Sequence, residues 1–289
     1  MSSWGRWGEE DERGALNLIT PDVVARGLAT VRSGVPLSLG LELRSGHGPV
    51  AGMRQPPQHF MTRDGGDYAA GLQERPGYGY ADDYLIVGCH GTTHLDALSH
   101  VWTERTMWNG FSADTVTSRG AARCGVEKAG PIVTRGWLVD LVPEGALGLD
   151  DGHPISVQVL RAAAEDQGVA PEPGDALLVR TGWLARWRDG TAAIDCWPGL
   201  AGDCEPWIVE RGITVVGADN LAVEVEPSGD PTHGAPLHVG LLRDHGIHLL
   251  ELLDLEQLAA SGRHDFLLVI APLRIVGGVG SPVAPVAVL

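Results

Sequence analysis

A mixed α/β class follows from three observations on this 289-residue sequence. The 40 glycines and 19 prolines are about a fifth of the chain, against about 12% in ordinary usage, and call for many shaped turns. Short apolar runs of strand length alternate with segments of helical spacing. Glycine stands just past the end of three of those helical segments, where a left-handed terminus wants it.

The elements follow in order. Thr20-Pro21 and the apolar spacing through Val31 predict an N-capped helix with proline in its first turn, ended by Gly34. Residues 50–79 hold Pro56, Pro57, Pro76 and six glycines with little periodicity, so this stretch reads as a long surface segment. Met53, Phe60, Met61 and Tyr68 give it apolar groups to bury and favour a binding loop over disorder. Strands are predicted at Tyr84–Val87, Trp137–Val142, Ala176–Val179, Ile213–Val216, Ile247–Leu253 and Phe266–Ile270. Helices are predicted at Val157–Gln167, Glu205–Arg211 and Pro236–Asp244, with Gly168, Gly212 and Gly246 after them. No repeat or linker-like shift divides the chain, so residues 1–289 read as one domain with an irregular N-terminal arm.

Composition narrows the function. Hydrophobic residues at 44% and charged residues at 20% fit a soluble globular protein and exclude a disordered or fibrous one. A formal net charge of −16 repels nucleic-acid phosphates and anionic lipids, so neither nucleic acid nor membrane is an expected partner. The first residues lack a basic region followed by an apolar one, and no run reaches the ~18 apolar residues of a membrane span, so a cytoplasmic location is expected. Cys89, Cys124, Cys196 and Cys204 form no C-x-x-C pair and read as reduced thiols. Cys89 adjoins a histidine cluster, but only His90 stands near enough in sequence to lower its pKa.

That cluster, His90-Gly-Thr-Thr-His94-Leu-Asp96-Ala-Leu-Ser-His100, packs three of the chain's 11 histidines and a carboxylate into eleven positions. Residues 90, 94, 96 and 100 differ by even numbers, and in an extended chain even offsets share one face. A helix would scatter them, and Thr92 and Thr93 favour extended chain, so the cluster is placed on a strand end or the loop after it. Neutral imidazoles with a carboxylate suit Zn²⁺ or Mn²⁺, and without a partnered cysteine a structural zinc knuckle does not fit. The alternative is that each histidine satisfies a turn or backbone group on its own.

One short segment under-coordinates a metal, so further ligands are expected elsewhere. His238 lies in the apolar helical stretch Pro236-Leu-His238-Val-Gly-Leu-Leu, and Glu251 interrupts the apolar run from Ile247. A carboxylate among aliphatic side chains is costly without a cation or hydrogen bonds. Taken alone, Glu251 also fits an exposed edge position and His238 a satisfied core histidine. His245 and His248, beside a helix terminus, read as structural or exposed.

The window resembles the signature H-x-G-T-H-x-D-x-P-x-H of the putative cyclase family, which includes bacterial kynurenine formamidase and isatin hydrolase. His90, Thr93, His94, Asp96 and His100 match in register, while Thr92 replaces the glycine and Leu98 the proline. Supporting matches include Trp4-Gly-Arg-Trp-Gly with Leu16-Asn-Leu-Ile, residues 174–183, Gly217-Ala-Asp-Asn220, the stretch from His238 to Glu251, and residues 277–282. The resemblance implies a swivelling β/β/α-type fold with mixed sheets and flanking helices. It makes His90, His94 and Asp96 metal ligands with His238 and Glu251, lets Asp96 and Glu251 bridge two ions, and makes His100 the catalytic histidine. It also implies a homodimer or homotetramer.

The chemistry expected is hydrolysis of an amide, cyclic amide or lactone by a metal-bound hydroxide, with one or two ions of Zn²⁺ or Mn²⁺ and His100 shuttling the proton. A metal-dependent cyclase or dehydratase of a small metabolite is the alternative, and a non-catalytic metal-stabilised binding protein a third. Nine tryptophans against three phenylalanines are consistent with a flat aromatic pocket for a small-molecule substrate, with Trp4, Trp7 and Trp102 as candidate walls. Asp219 and Asn220, at a strand end, are candidates for orienting a ligand histidine or for a simple turn.

Overall fold

A computed structural model describes residues 2–72 and 76–289. Its centre is a nine-stranded mixed sheet. In chain order the strands are β1 (Pro36–Ser38), β2 (His94–Asp96), β3 (Ile132–Asp140), β4 (Ala176–Arg180), β5 (Val215–Ala218), β6 (His248–Glu251), β7 (Asp265–Ile270), β8 (Gly280–Pro282) and β9 (Val286–Val288). They lie side by side as β1-β9-β7-β3-β4-β5-β6-β2-β8. The four central strands β3 to β6 run parallel, and antiparallel pairings flank them on both sides.

Parallel neighbours need crossovers, and each crossover here carries a helix. Helix α2 (Val157–Asp166) joins β3 to β4, α3 (Trp183–Asp189) and α4 (Glu205–Glu210) join β4 to β5, and a π-helix, His238–Asp244, joins β5 to β6. Helix α1 (Pro21–Leu28) starts as its sequence requires, with the Thr20 hydroxyl accepting from Val23 N–H and proline in the first turn. It packs so closely on β3 that a Cβ on Gly27 would lie 2.8 Å from the Arg135 nitrogen. Gly168, Gly212 and Gly246 take φ of 67°, 65° and 64°, the left-handed terminus predicted for them.

Strands β4, β5 and β6 are buried on both faces, which is why they read as continuous apolar runs. Alternation still sorts their side chains. Leu177, Val179, Val216, Ala218 and Leu249 pack in one layer with Leu160, Trp207, Ile208, Leu241 and Leu242 of the helices. Ala176, Leu178, Val215 and Leu250 turn to the other face, with Leu95, Leu138, Phe266 and Leu268.

Two expectations change. The strand expected at Tyr84–Val87 is Asp82–Ile86, and it pairs outside the main sheet with Gln58–Arg63. The segment expected as an aperiodic loop over residues 50–79 therefore holds a strand and a short helix, Gly65–Ala69, closed by the Asp64 capping box. Met53, Phe60 and Met61 were expected to bury surface, yet all three are exposed, and both strands of the hairpin are exposed along nearly their whole length. Gln73–Arg75 of that segment lie outside the described residues. No described helix is long and apolar enough to cross a membrane.

Candidate metal centre

Strand pairing sets up the site. In the antiparallel pair β6/β2, Glu251 lies opposite His94 and Leu250 opposite Leu95. Leu95 and Leu250 point into one core layer, so alternation turns His94, Asp96 and Glu251 to the other face, under the π-helix. That helix buries Leu241 and Leu242 on the sheet and brings His238 down from its first turn. The i→i+5 bond from His245 N–H to the Gly240 carbonyl marks the wider winding. Such π-turns are frequent at functional sites.

Even spacing alone does not assemble the rest. Only His94–Asp96 is strand; His90 and His100 arrive through turns on either side, including one closed by His100 N–H to the Ala97 carbonyl. The space for His90 comes from Gly280, paired with Asp96 across β8, where a Cβ would sit 2.6 Å from His90 Nε2.

His90, His94, Asp96, His100, His238 and Glu251 thus meet at one point. His90 Nε2 and His94 Nε2 lie 3.2 and 3.4 Å from Asp96 Oδ1, and His94 Nε2 lies 3.2 Å from Glu251 Oε2. His238 Nε2 lies 3.7 Å from Asp96 Oδ2 and 3.2 Å from Glu251 Oε1. Each carboxylate therefore gives one oxygen to the His90/His94 side and the other to the His238 side. His100 stacks on His90, with centroids 4.2 Å apart, and keeps its Nε2 4.0 Å from Asp96 Oδ1. Ligand atoms of His90, His94 and Asp96, and of Asp96, His100 and His238, all fall within 4.8 Å of one another.

Close as they are, these atoms do not satisfy one another. His90 Nε2, His94 Nε2, both Asp96 carboxylate oxygens and Glu251 Oε1 are buried without a hydrogen-bond partner among the described residues. Each buried orphan costs roughly 1–3 kcal/mol, more when charged, so five together call for a compensating group. The two buried carboxylates are surrounded by imidazole nitrogens, a donor set that fits a divalent cation. The electrostatics agree. Burial works against a charged His94, but Asp96 and Glu251 outweigh it and hold the imidazole up at about 10. At His238 burial is likewise outweighed, by Glu224 and Glu251, and the pKa is raised well above 6.5. The site attracts positive charge.

Surrounding groups aim the donors. His94 Nδ1–H donates to the Thr92 carbonyl at 2.8 Å, leaving its Nε2 lone pair facing inward. The Thr93 hydroxyl accepts from Leu41 N–H and donates to the Leu252 carbonyl, locking β2 to the end of β6. Leu98, at the signature's proline position, is core. His248, buried, donates from Nδ1 to the Asp96 carbonyl, and His245 is buried against Ser3 and Glu205. Burial pushes the Cys89 thiol up, away from nucleophilic chemistry.

Glu224 is the residue sequence reasoning missed. Its carboxylate accepts from His238 Nδ1–H at 2.5 Å and from the N–H groups of His238 and Leu237, capping the helix and fixing the imidazole together. Its signal was present, a glutamate between Val223 and Val225 as buried as Glu251. Neither Asp219 nor Asn220 touches a histidine of the site. Asp219 receives Thr181 and Gly182 at the start of α3. Asn220 supports two strained residues, accepting from Val223 N–H through its side chain and from Leu252 N–H through its carbonyl. Val223 and Leu252 take φ of 61° and 57°, each costing roughly 1–3 kcal/mol, immediately before Glu224 and after Glu251.

A cavity of about 640 Å³ opens over His100 and His238, lined by Ala51, Met53, Arg54, Val101, Trp197 and Leu221 among others. The tryptophan on its wall is Trp197. Trp4 and Trp7 instead lie half-buried against the core layer that holds Trp108, and Trp102 is exposed, so none of the three expected wall residues is on this lining.

A family model described as putative cyclase matches residues 37–225. The isatin hydrolase of Roseibium aggregatum is 25% identical over 216 residues, 73% of this chain and 75% of that protein. A crystal structure of a novel cyclase is 37% identical over the full length of both chains, with a TM-score of 0.91. An isatin hydrolase bound to the product analogue thioisatinate shares the fold, with a TM-score of 0.66 and 21% identity over 94% of this chain and 99% of that one.

Proposed function

Because the chain belongs to the putative cyclase family, we propose that it is a divalent-metal-dependent hydrolase of an amide, cyclic amide or lactone bond, with His100 as proton shuttle. One observation carries the reading: five buried donor atoms from two distant segments converge without hydrogen-bond partners among the described residues. His90, His94, Asp96, His238 and Glu251 would hold the ion, and their imidazole and carboxylate mixture suits Zn²⁺ or Mn²⁺. The division of both carboxylates between two sides supports two ions as readily as one. When bound, the ion would polarise a carbonyl and lower the pKa of a water molecule from 15.7 toward about 7.

The chain's own residues do the rest. Glu224 and the Thr92 carbonyl fix His238 and His94 as acceptors through Nε2. Burial pushes His100 down to about 4; Asp96 opposes the shift, His90 and His238 add to it, and Glu251 opposes it again. A neutral imidazole at the mouth of the cavity can take a proton from the attacking water and hand it to the leaving nitrogen or oxygen, typically worth 10²–10⁴ in rate. The substrate is a small molecule, and the enzyme works as a homodimer or homotetramer; the exposed Phe60, Met61, Tyr84, Leu85 and Ile86 of the hairpin offer a second copy a surface to bury.

The neighbouring novel cyclase favours a second reading, ring closure or dehydration at the same centre. Formanilides, cyclic imides and lactones assayed in ¹⁸O-labelled water separate the two. Metal-dependent turnover with one labelled oxygen in the product is expected. Metal-dependent product without label overturns hydrolysis, and turnover unchanged by chelation overturns both readings.

A further inference from the structure

Resting on the reading of the cavity as the substrate site, we propose that Arg54 is its specificity residue and that the preferred substrate carries a carboxylate remote from the bond that is cleaved. The lining is otherwise apolar apart from His100 and His238: Ala51, Met53, Val101, Trp197, Leu221 and Ala222. Arg54 is half-buried on this wall, and its guanidinium makes no hydrogen bond, ion pair or ring contact among the described residues. Many arginines of this acidic chain do have carboxylate partners, among them Arg26, Arg135, Arg180 and Arg186. Arg54 has none among the described residues, although the chain is rich in acidic groups.

Among the described lining residues Arg54 alone carries a fixed charge, the others being apolar or imidazole, so the cavity wall holds a cation without a partner. A guanidinium presents a planar fork of donors that matches a carboxylate bidentately, at roughly twice the strength of a neutral hydrogen bond. A lone cation suits a monoanion; a phosphate dianion would leave charge unpaired in an apolar setting. The volume accommodates an aromatic or aliphatic body against Trp197 with its carboxylate at Arg54 and its electrophilic carbonyl toward His100.

The test is calorimetric and does not need turnover. 2-Naphthoate and its neutral counterpart 2-naphthamide are titrated into wild type, Arg54→Ala and Arg54→Lys, each as purified and after chelation. The acid is expected to bind wild type at least ~10-fold more tightly than the amide in both metal states. Arg54→Ala should erase that preference while leaving amide binding unchanged, and Arg54→Lys should keep part of it. A preference that survives in Arg54→Ala but vanishes on chelation assigns carboxylate recognition to the metal and overturns the proposal while leaving the metal reading intact. Equal binding of acid and amide by wild type, or binding of neither, overturns it as well. An Arg54-dependent preference in protein that never held metal sustains the proposal even if the hydrolase reading fails.

Discussion

Glu224 Oε1 accepts two hydrogen bonds from one residue, the Nδ1–H of His238 at 2.5 Å and its backbone N–H at 3.0 Å. The carboxylate thereby fixes both the start of the π-helix and the direction of the imidazole. Glu224→Gln keeps the shape but loses the charge, and metal affinity is expected to fall about 10–100-fold with the circular dichroism spectrum unchanged. Affinity equal to wild type would remove Glu224 from the positioning of His238.

Gly280 is open to a similar test. Its missing side chain leaves the volume that His90 Nε2 occupies, 2.6 Å from where a Cβ would be. Gly280→Ala should push His90 out of line and weaken metal binding by at least ~10-fold, since ligand placement is sensitive to fractions of an ångström. Chelator competition measures it, and an unaltered affinity contradicts the role given to this position.

His100 separates holding the ion from using it. His100→Ala is expected to retain metal and lose at least ~10² in kcat. Loss of metal in the same variant would make His100 a ligand instead.

Removing metal should change how stability depends on pH. In the metal-free site the Asp96 and Glu251 carboxylates outweigh the burial of His94 and hold its pKa at about 10, above the ordinary 6.5. A raised pKa contributes stability that is complete below about pH 6.5 and is lost as pH rises toward 10. The melting temperature of chelated protein should therefore fall across that window, while the metal-loaded form, with its charge supplied by the ion, should hold. Parallel curves for the two forms would contradict the electrostatic account.

Much of the site was legible because its chemistry is expensive. Three histidines and an aspartate in one window are hard to place anywhere but around a cation or a hydrogen-bond network, so His90, His94 and Asp96 stood out from the sequence. Glu251 and His238 were weaker, since a glutamate in an aliphatic run also fits an exposed edge and a helical histidine a core, and the family resemblance singled them out. What the sequence hid was long-range or irregular. Alternation placed His94 and Asp96 on one face, but His90 and His100 reach it through turns whose geometry even spacing does not encode. The π winding at His238 depends on a bond spanning five residues, and Gly280 matters only through a pairing with Asp96. The hairpin at Gln58–Arg63 escaped because strands exposed along their length lack the apolar alternation that betrays a half-buried one.

Elemental analysis of purified wild type beside His94→Ala reads out whether these side chains hold a divalent cation. One or two equivalents of zinc or manganese per chain in wild type, lost in the variant while it stays folded, is the result expected. A folded wild type that takes up neither ion, even after dialysis against them, would contradict it.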